Sequence, residues 1–407
     1  MSGIMFTVPQ HKCPQGVRIQ LSTDSANGNG AKNNAPCFTS NDRVEGEVVG
    51  SLADLGAKAQ LKITVQGIAR TTMHPYPPNT MKDGYRIGTH SALSDVLEHK
   101  ILEHSSSSRH GPLRFEVPFG FSMAEYEMKR RSSSDSEQAD GLMKLGLPPS
   151  SDSQCSSTWR SRMFKHNADS HFHVTYTVSA VVYSEGKRLA YGTRDFHYTP
   201  IASPQPPLSI ADFPNEYTLF ATHVAPPSKP VKKNHIREIH VSSEEPEPLV
   251  MRLNDGRGST KTCLNFRIAC LEQTPLPQRC RIRIGLLSKT ISTPYWHGKW
   301  VPTINEVHDS DSSSLKTETI HEQTYDMAIE KWLPSYGNGA DDMKTVTATL
   351  PLRFFVTRGG MPASTFFTPL LSRRYALDIA VSFPGASRSE LRLCLPLQIV
   401  YTDVKQT

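Results

Sequence analysis

The chain has 407 residues, 37% of them hydrophobic, with 30 prolines, 7 cysteines and a formal net charge of +6. At about 100–200 residues per domain this length predicts two domains, and no apolar run reaches the ~18 residues of a membrane-crossing helix. The cysteines show no CxxC pair or zinc-like spacing, which argues against a zinc or disulfide-framework class, and the modest positive charge permits attraction to acidic surfaces without implying nucleic acid.

The opening MSGIMFTVPQHKC has neither the basic start nor the apolar stretch of a secretory signal, so the expected location is the cytosol. Val17, Ile19 and Leu21 alternate and predict the first strand, and Val44 to Val49 the next. Leu61, Ile63 and Val65 alternate up to Gly67, after which the apolar parity passes to Ile68; a glycine at such a switch predicts a bulge or bend. A short turn is expected near Ser94 to Leu97. Phe115, Val117, Phe119 and Phe121 make another apolar face, and Pro118 confines that strand to an edge or an irregular setting.

Residues 124–170 are Ser-rich and poor in large apolar side chains, the composition of a mobile insertion. The alternation is clearest at HFHVTYTVSAVVY, residues 171–183, where Phe172, Val174, Tyr176, Val178, Ala180 and Val182 share one face. His171 and His173 share the other face, but a metal site needs more converging ligands than that, and no metal is expected. Prolines recur through 204–235 and predict a semi-rigid linker.

Leu249, Met251 and Leu253 restart the pattern, followed by Leu264, Phe266, Ile268 and Cys270. Ile282, Ile284 and Leu286 then oppose Arg281 and Arg283. A polar insertion is expected over 294–342, with the only predicted helix at Thr324 to Trp332 (TYDMAIEKW). Val346, Ala348 and Leu350 resume the strands. Tyr375, Leu377, Ile379, Val381 and Phe383 form the next, and Leu391, Leu393, Leu395, Leu397, Ile399 and Tyr401 the last. Many short strands with few helical stretches predict an all-β chain of two tandem antiparallel immunoglobulin-like sandwiches, at 14–203 and 236–404.

RVEGEVVG (Arg43 to Gly50), QLKITVQGIARTT (Gln60 to Thr72) and LRFEVPFGFSM (Leu113 to Met123) follow one another in the first half. FPNEY (Phe213 to Tyr217), EEPEPLVMRL (Glu244 to Leu253), LSRRYALDIAVSF (Leu371 to Phe383) and LRLCLPLQIVY (Leu391 to Tyr401) follow in the second. In this order and spacing they resemble the arrestin clan, in particular the fungal α-arrestin-like trafficking adaptors. The resemblance implies arrestin-like N and C domains and a non-enzymatic, cofactor-free scaffold. Such a scaffold binds cytosolic tails of membrane transporters or receptors and recruits a HECT ubiquitin ligase for ubiquitin-dependent endocytosis and sorting. It implies a cytoplasmic protein, peripheral at the plasma membrane or endosomes. The alternative is an arrestin-fold sorting or signalling scaffold that works without a ligase.

Ligases of this kind grip Pro-Pro-x-Tyr through WW domains. Here the diprolines are followed at the motif position by Thr80, Ser151, Ser209 and Lys229, never by tyrosine. The nearest variant is Leu333-Pro334-Ser335-Tyr336, the candidate ligase-binding motif. Ser133 and Ser134, between Lys129-Arg130-Arg131 and Glu137, fit basophilic and acidophilic kinase patterns and are candidate phosphorylation sites. Arg160, Arg162 and Lys165, interleaved with Trp159 and Phe164, are candidate contacts for acidic cargo tails or an acidic lipid surface. No G-x-S-x-G elbow, Walker loop, dinucleotide fingerprint or HExxH is present, so no catalytic residue is expected.

Overall fold

The computed structural model describes residues 16–22, 35–52, 58–73, 86–103, 113–126, 147–152, 170–201, 210–213, 215–224, 236–253, 255–295, 313–335, 343–357, 362–368, 370–384 and 390–402. Strands dominate these residues, and the fold class is an all-β sandwich, as the alternation predicts. The chain divides into two compact units. One is Met1–Ala69, Ser91–Ser136 and Val174–Thr199; the other is Arg70–His90, Glu137–His173 and Pro200–Thr407.

The first nine strands are β1 (Val17–Leu21), β2 (Cys37–Thr39), β3 (Arg43–Leu52), β4 (Lys58–Met73), β5 (Arg86–Glu103), β6 (Leu113–Ser122), β7 (Ser151–Asp152), β8 (Ser170–Ser184) and β9 (Lys187–Thr199). They form a three-stranded sheet in the order β1-β3-β6 and a second sheet in the order β2-β9-β8-β4-β5, with β7 paired to β8. Val44 and Val48 of the first sheet and Leu61, Ile63, Tyr176 and Val178 of the second are fully buried. Phe121 of β6 meets Phe196 of β9 at 6.2 Å, and Phe196 is ringed by Phe38 and Tyr176, so aromatic side chains tie the two sheets together.

The spacing of RVEGEVVG has a steric cause. Gly46 lies across from Phe119, and Gly50 across from Phe115. A Cβ on Gly50 would stand 2.2 Å from the Phe115 ring, and one on Gly46 would stand 2.3 Å from the carbonyl oxygen of Gln20. The two glycines make room for the phenylalanines of β6 and, at Gly46, for the backbone of β1. The β8–β9 hairpin turns on two residues, Glu185 (φ 50°) and Gly186 (φ 74°). Positive φ at both central positions is the primed turn that matches the twist of the flanking strands.

The remaining strands are β10 (Phe220–Val224), β11 (Ile236–Ser243), β12 (Leu249–Arg252), β13 (Gly258–Leu271), β14 (Arg279–Ser292), β15 (Ser314–Ala328), β16 (Leu333–Ser335), β17 (Met343–Val356), β18 (Phe366–Phe367), β19 (Leu371–Ser382), β20 (Leu391–Leu397) and β21 (Ile399–Thr402). A seven-stranded sheet runs β10-β11-β13-β12-β21, with β17 on the other flank of β13 and β16 beyond it. A five-stranded sheet runs β15-β14-β19-β18, with β20 on β19. Their inner faces share one core that includes Phe266, Ile268, Ile284, Leu377, Ile379, Leu393 and Leu395. β12 pairs in parallel with β21, Leu249 opposite Ile399, so strands far apart in the chain meet in one sheet. Where β15 and β17 face each other the ladder is replaced by side chains: Gln323 Nε2 donates to Phe355 O, and Tyr325 OH donates to Arg353 O at 3.1 Å.

Several expectations need correction. Thr324 to Trp332 is not a helix; its first half is the end of β15, where Tyr325 and Met327 alternate toward the core. The expected 294–342 insertion therefore contains β15 and β16. Ser94 to Leu97 is no turn but the middle of the 18-residue β5. Parity does not switch at Gly67: Leu61, Ile63, Val65, Ala69 and Thr71 are all buried, and Ile68 is on the other face. Within 124–170, Leu147, Pro148 and Pro149 are buried and β7 pairs with β8, while 127–146 and 153–169 lie outside the described residues. The segment expected as a linker includes β10, paired to β11, and the buried Phe213 and Tyr217. Pro118 does lie in an edge strand, since among the described residues β6 pairs only with β3.

Candidate functional site

Three polar constellations stand out, and the deepest is charged. Ile210–Asp212 form a single 3-10 turn, and Asn215 adopts φ 65°, a conformation that asparagine tolerates well. Backbone bonds from Thr218 N to Cys394 O (2.8 Å) and from Cys394 N to Thr218 O (2.9 Å) then pin the segment to β20. This lays Phe213, Glu216 and Tyr217 on the outer face of β14 and β19, where Lys289 and Arg374 are direct cross-strand partners. Two like charges opposite each other repel. Glu216 sits against both: its Oε2 is 3.2 Å from Arg374 Nη1, and its carbonyl oxygen accepts from Lys289 Nζ at 2.8 Å.

Each cation is also roofed by an aromatic ring, Arg374 by Phe213 at 4.8 Å and Lys289 by Tyr217 at 4.7 Å. The side chains of Arg374 and Glu216 are 1% and 0% exposed. Burial raises the Tyr217 pKa, opposed by the Arg374 charge, and burial likewise raises that of the Cys394 thiol, whose Sγ lies 3.9 Å from Lys289 Nζ. Glu216 and Arg374 thus pair out of contact with solvent, with the Phe213–Tyr217 segment seated over them.

The second constellation is an open face. The outward side of β1-β3-β6 carries a depression of about 620 Å³ lined by Arg18, Gln20, Val49, Arg114, Phe115 and Glu116 among others. Register places Arg18, Val49 and Glu116 in one row across the three strands, with Ser51 and Arg114 beside it. Arg18 and Arg114 are both exposed. Glu47 hydrogen-bonds Glu116, which raises the Glu47 pKa because a shared proton relieves two like charges. β1 has β3 as its only strand partner among the described residues, and on its other side Gly192 of β9 comes close to the Val17 carbonyl oxygen.

The third is the LPSY stretch. Leu333–Ser335 form β16, exposed throughout and paired antiparallel to β17 through Leu333–Thr347, Pro334–Val346 and Ser335–Thr345. Proline lacks the N–H of a full ladder, which suits this edge position. Tyr336 lies outside the described residues, as do Ser133, Ser134, Arg160, Arg162 and Lys165. The structure thus brings together a set that the sequence did not single out, Glu216, Lys289 and Arg374, and a pair of exposed arginines on β1 and β6. The first had no local signal, since its members are far apart in sequence. The second was visible as arginines interrupting two apolar alternations. Among the described residues no group of three or more His, Cys, Asp or Glu side chains is placed to hold a metal ion, and no helix is long and apolar enough to cross a membrane. A scan against protein-family models finds no match, and no curated protein matches this chain.

Proposed function

We propose that the protein is a non-enzymatic adaptor of the arrestin type, built as two tandem arrestin-like domains, and that it receives acidic cytosolic segments of membrane transporters or receptors. The observation that carries this reading is the exposed arginine pair, Arg18 and Arg114, flanking a depression on the outward side of β1-β3-β6. A peptide laid along this face meets both guanidiniums, which select acidic side chains through charge-assisted hydrogen bonds. The order of the arrestin-like motifs through both halves supports the same reading. Binding of a fluorescent Glu/Asp-rich peptide, followed by anisotropy, tests it. Each charged hydrogen bond lost is worth about 1.5–3 kcal/mol, so Arg18→Glu with Arg114→Glu is expected to weaken binding at least tenfold. Unchanged affinity in the double variant refutes this surface.

Between the two forms of the adaptor, with and without a ubiquitin ligase, β16 favours the second. The backbone of Leu333, Pro334 and Ser335 is engaged by β17, whereas a WW groove requires a free polyproline stretch. The ligase-dependent form requires that a WW-domain HECT ligase be captured by the wild type and lost with Tyr336→Ala. Capture from neither leaves the ligase-free scaffold.

A further inference from the structure

Among the described residues, Val224 and Phe220 are the most exposed of the large apolar side chains, at 66% and 65%. Both point outward from β10, while Ala221 between them turns to the core. Val250 and Phe355 are exposed on the same outer face of the seven-stranded sheet, in one cross-strand row through Ser259. Another row runs Thr222, His240, Arg267, Thr347 and Leu333 across five strands. Phe220 stacks on the His240 ring, 6.1 Å between centroids.

The outward positions of this sheet carry Arg252, Lys261, Arg267 and Arg353 against Glu238. Arg252 is ion-paired to Asp255 and Lys261 to Glu247. Arg267 and Arg353 have no carboxylate at ion-pairing distance among the described residues, and Arg353 is the cross-strand partner of Lys261. Cations and single apolar side chains therefore share the face, with Phe220 and Val224 on its β10 margin. A protein partner concentrates its binding energy on one desolvated cluster, which such separated residues do not make. A bilayer takes each apolar side chain on its own and attracts the cations through acidic headgroups.

We propose that the outer face of this seven-stranded sheet docks on an anionic phospholipid surface, with Phe220 and Val224 entering the headgroup region and Arg267 and Arg353 meeting the phosphates. The site is separate from the peptide-receiving face of β1-β3-β6, and its test contains no peptide, so either reading fails without the other. The full chain is floated with vesicles of phosphatidylcholine alone and of phosphatidylcholine mixed with phosphatidylserine. Binding is expected only to the second, and to fall with added salt. At about 1 kcal/mol per cation near an anionic membrane, Arg267→Glu with Arg353→Glu is expected to lower the partition constant about thirtyfold or more. Phe220→Ser with Val224→Ser is expected to weaken binding at every salt concentration while leaving its salt slope in place. All four positions are exposed, and unchanged melting curves verify that the variants fold. Equal binding to neutral vesicles, no binding to the mixed ones, or full binding by both variants overturns the proposal. So does loss of a dimer in either variant without any effect on vesicles, which assigns the face to a second copy of the chain.

Discussion

Replacing Glu216 by glutamine removes one negative charge from beneath Phe213 and Tyr217 and leaves Arg374 and Lys289 as facing buried cations. Lys289 keeps its acceptor, because it bonds the main-chain oxygen of residue 216 rather than the carboxylate. The loss thus falls on Arg374, whose side chain is 1% exposed. Stripping one partner from a buried pair costs about 3–5 kcal/mol, because the survivor stays desolvated and has lost its opposite charge. That is a large part of the 5–15 kcal/mol that typically holds a domain folded. For a unit of about 150–250 residues, 1 kcal/mol moves the melting temperature by about 2–4 °C, so Glu216→Gln is expected to lower it by roughly 6–20 °C. The assay is a thermal melt by circular dichroism, repeated as a urea titration to check that the slope is unchanged. Arg374→Met in the Glu216→Gln background supplies the decisive comparison. Removing both charges leaves an apolar side chain beneath Phe213, so the double variant is expected to be more stable than Glu216→Gln alone. A melting temperature within about 2 °C of wild type for the single variant, or a double variant destabilised by the sum of the two singles, refutes the reasoning.

Three further outcomes are expected. Gly46→Ala places a Cβ against the Gln20 carbonyl oxygen and is expected to cost more than Gly50→Ala, where the obstacle is the Phe115 ring, which can rotate; hydrogen exchange at the β1 amides reads the difference. Glu185→Asn suits the positive φ of that hairpin position and is expected to stabilise by a few tenths of a kcal/mol up to about 1 kcal/mol, visible as a higher melting temperature. At Glu47 the folded pKa lies above its unfolded value, so the repulsion from Glu116 is fully present at neutral pH and disappears as pH falls through the folded pKa. Glu47→Gln is therefore expected to melt slightly higher than wild type at pH 7, with the gap closing through the acid range; a gap that widens on acidification contradicts the shared proton.

Period-two alternation was a faithful guide wherever one sheet face met the core and the other met water, as in β8 and β20. It was a poor guide where a strand lies at an edge and buries little. β5 and β15 are long, polar and only partly covered, and the helix-favouring Met, Ala, Glu and Lys near Thr324 to Trp332 outweighed the alternation of Tyr325, Met327 and Ile329. Arg374 illustrates the other failure. Its place opposite Tyr375 reads as a solvent position, and only the tertiary seating of Phe213 to Tyr217 over it makes it a buried charge. The exposed arginines of β1 and β6 were legible as charges, but their meeting at one depression depends on both strands flanking β3, which no local pattern encodes.

The parallel pairing of β12 with β21 has a consequence for biosynthesis. Leu249 and its partner Ile399 are separated by 150 positions, 399 minus 249. Protein synthesis runs at about 5–20 residues per second, so after β12 leaves the ribosome its flank waits many seconds for the strand that completes it. During that interval the growing chain presents an unsealed β edge to its neighbours on the polysome, the situation in which chaperones engage nascent chains. The hairpin contacts of β14 with β15 and of β19 with β20 close locally and early. The last strand acts as the clasp.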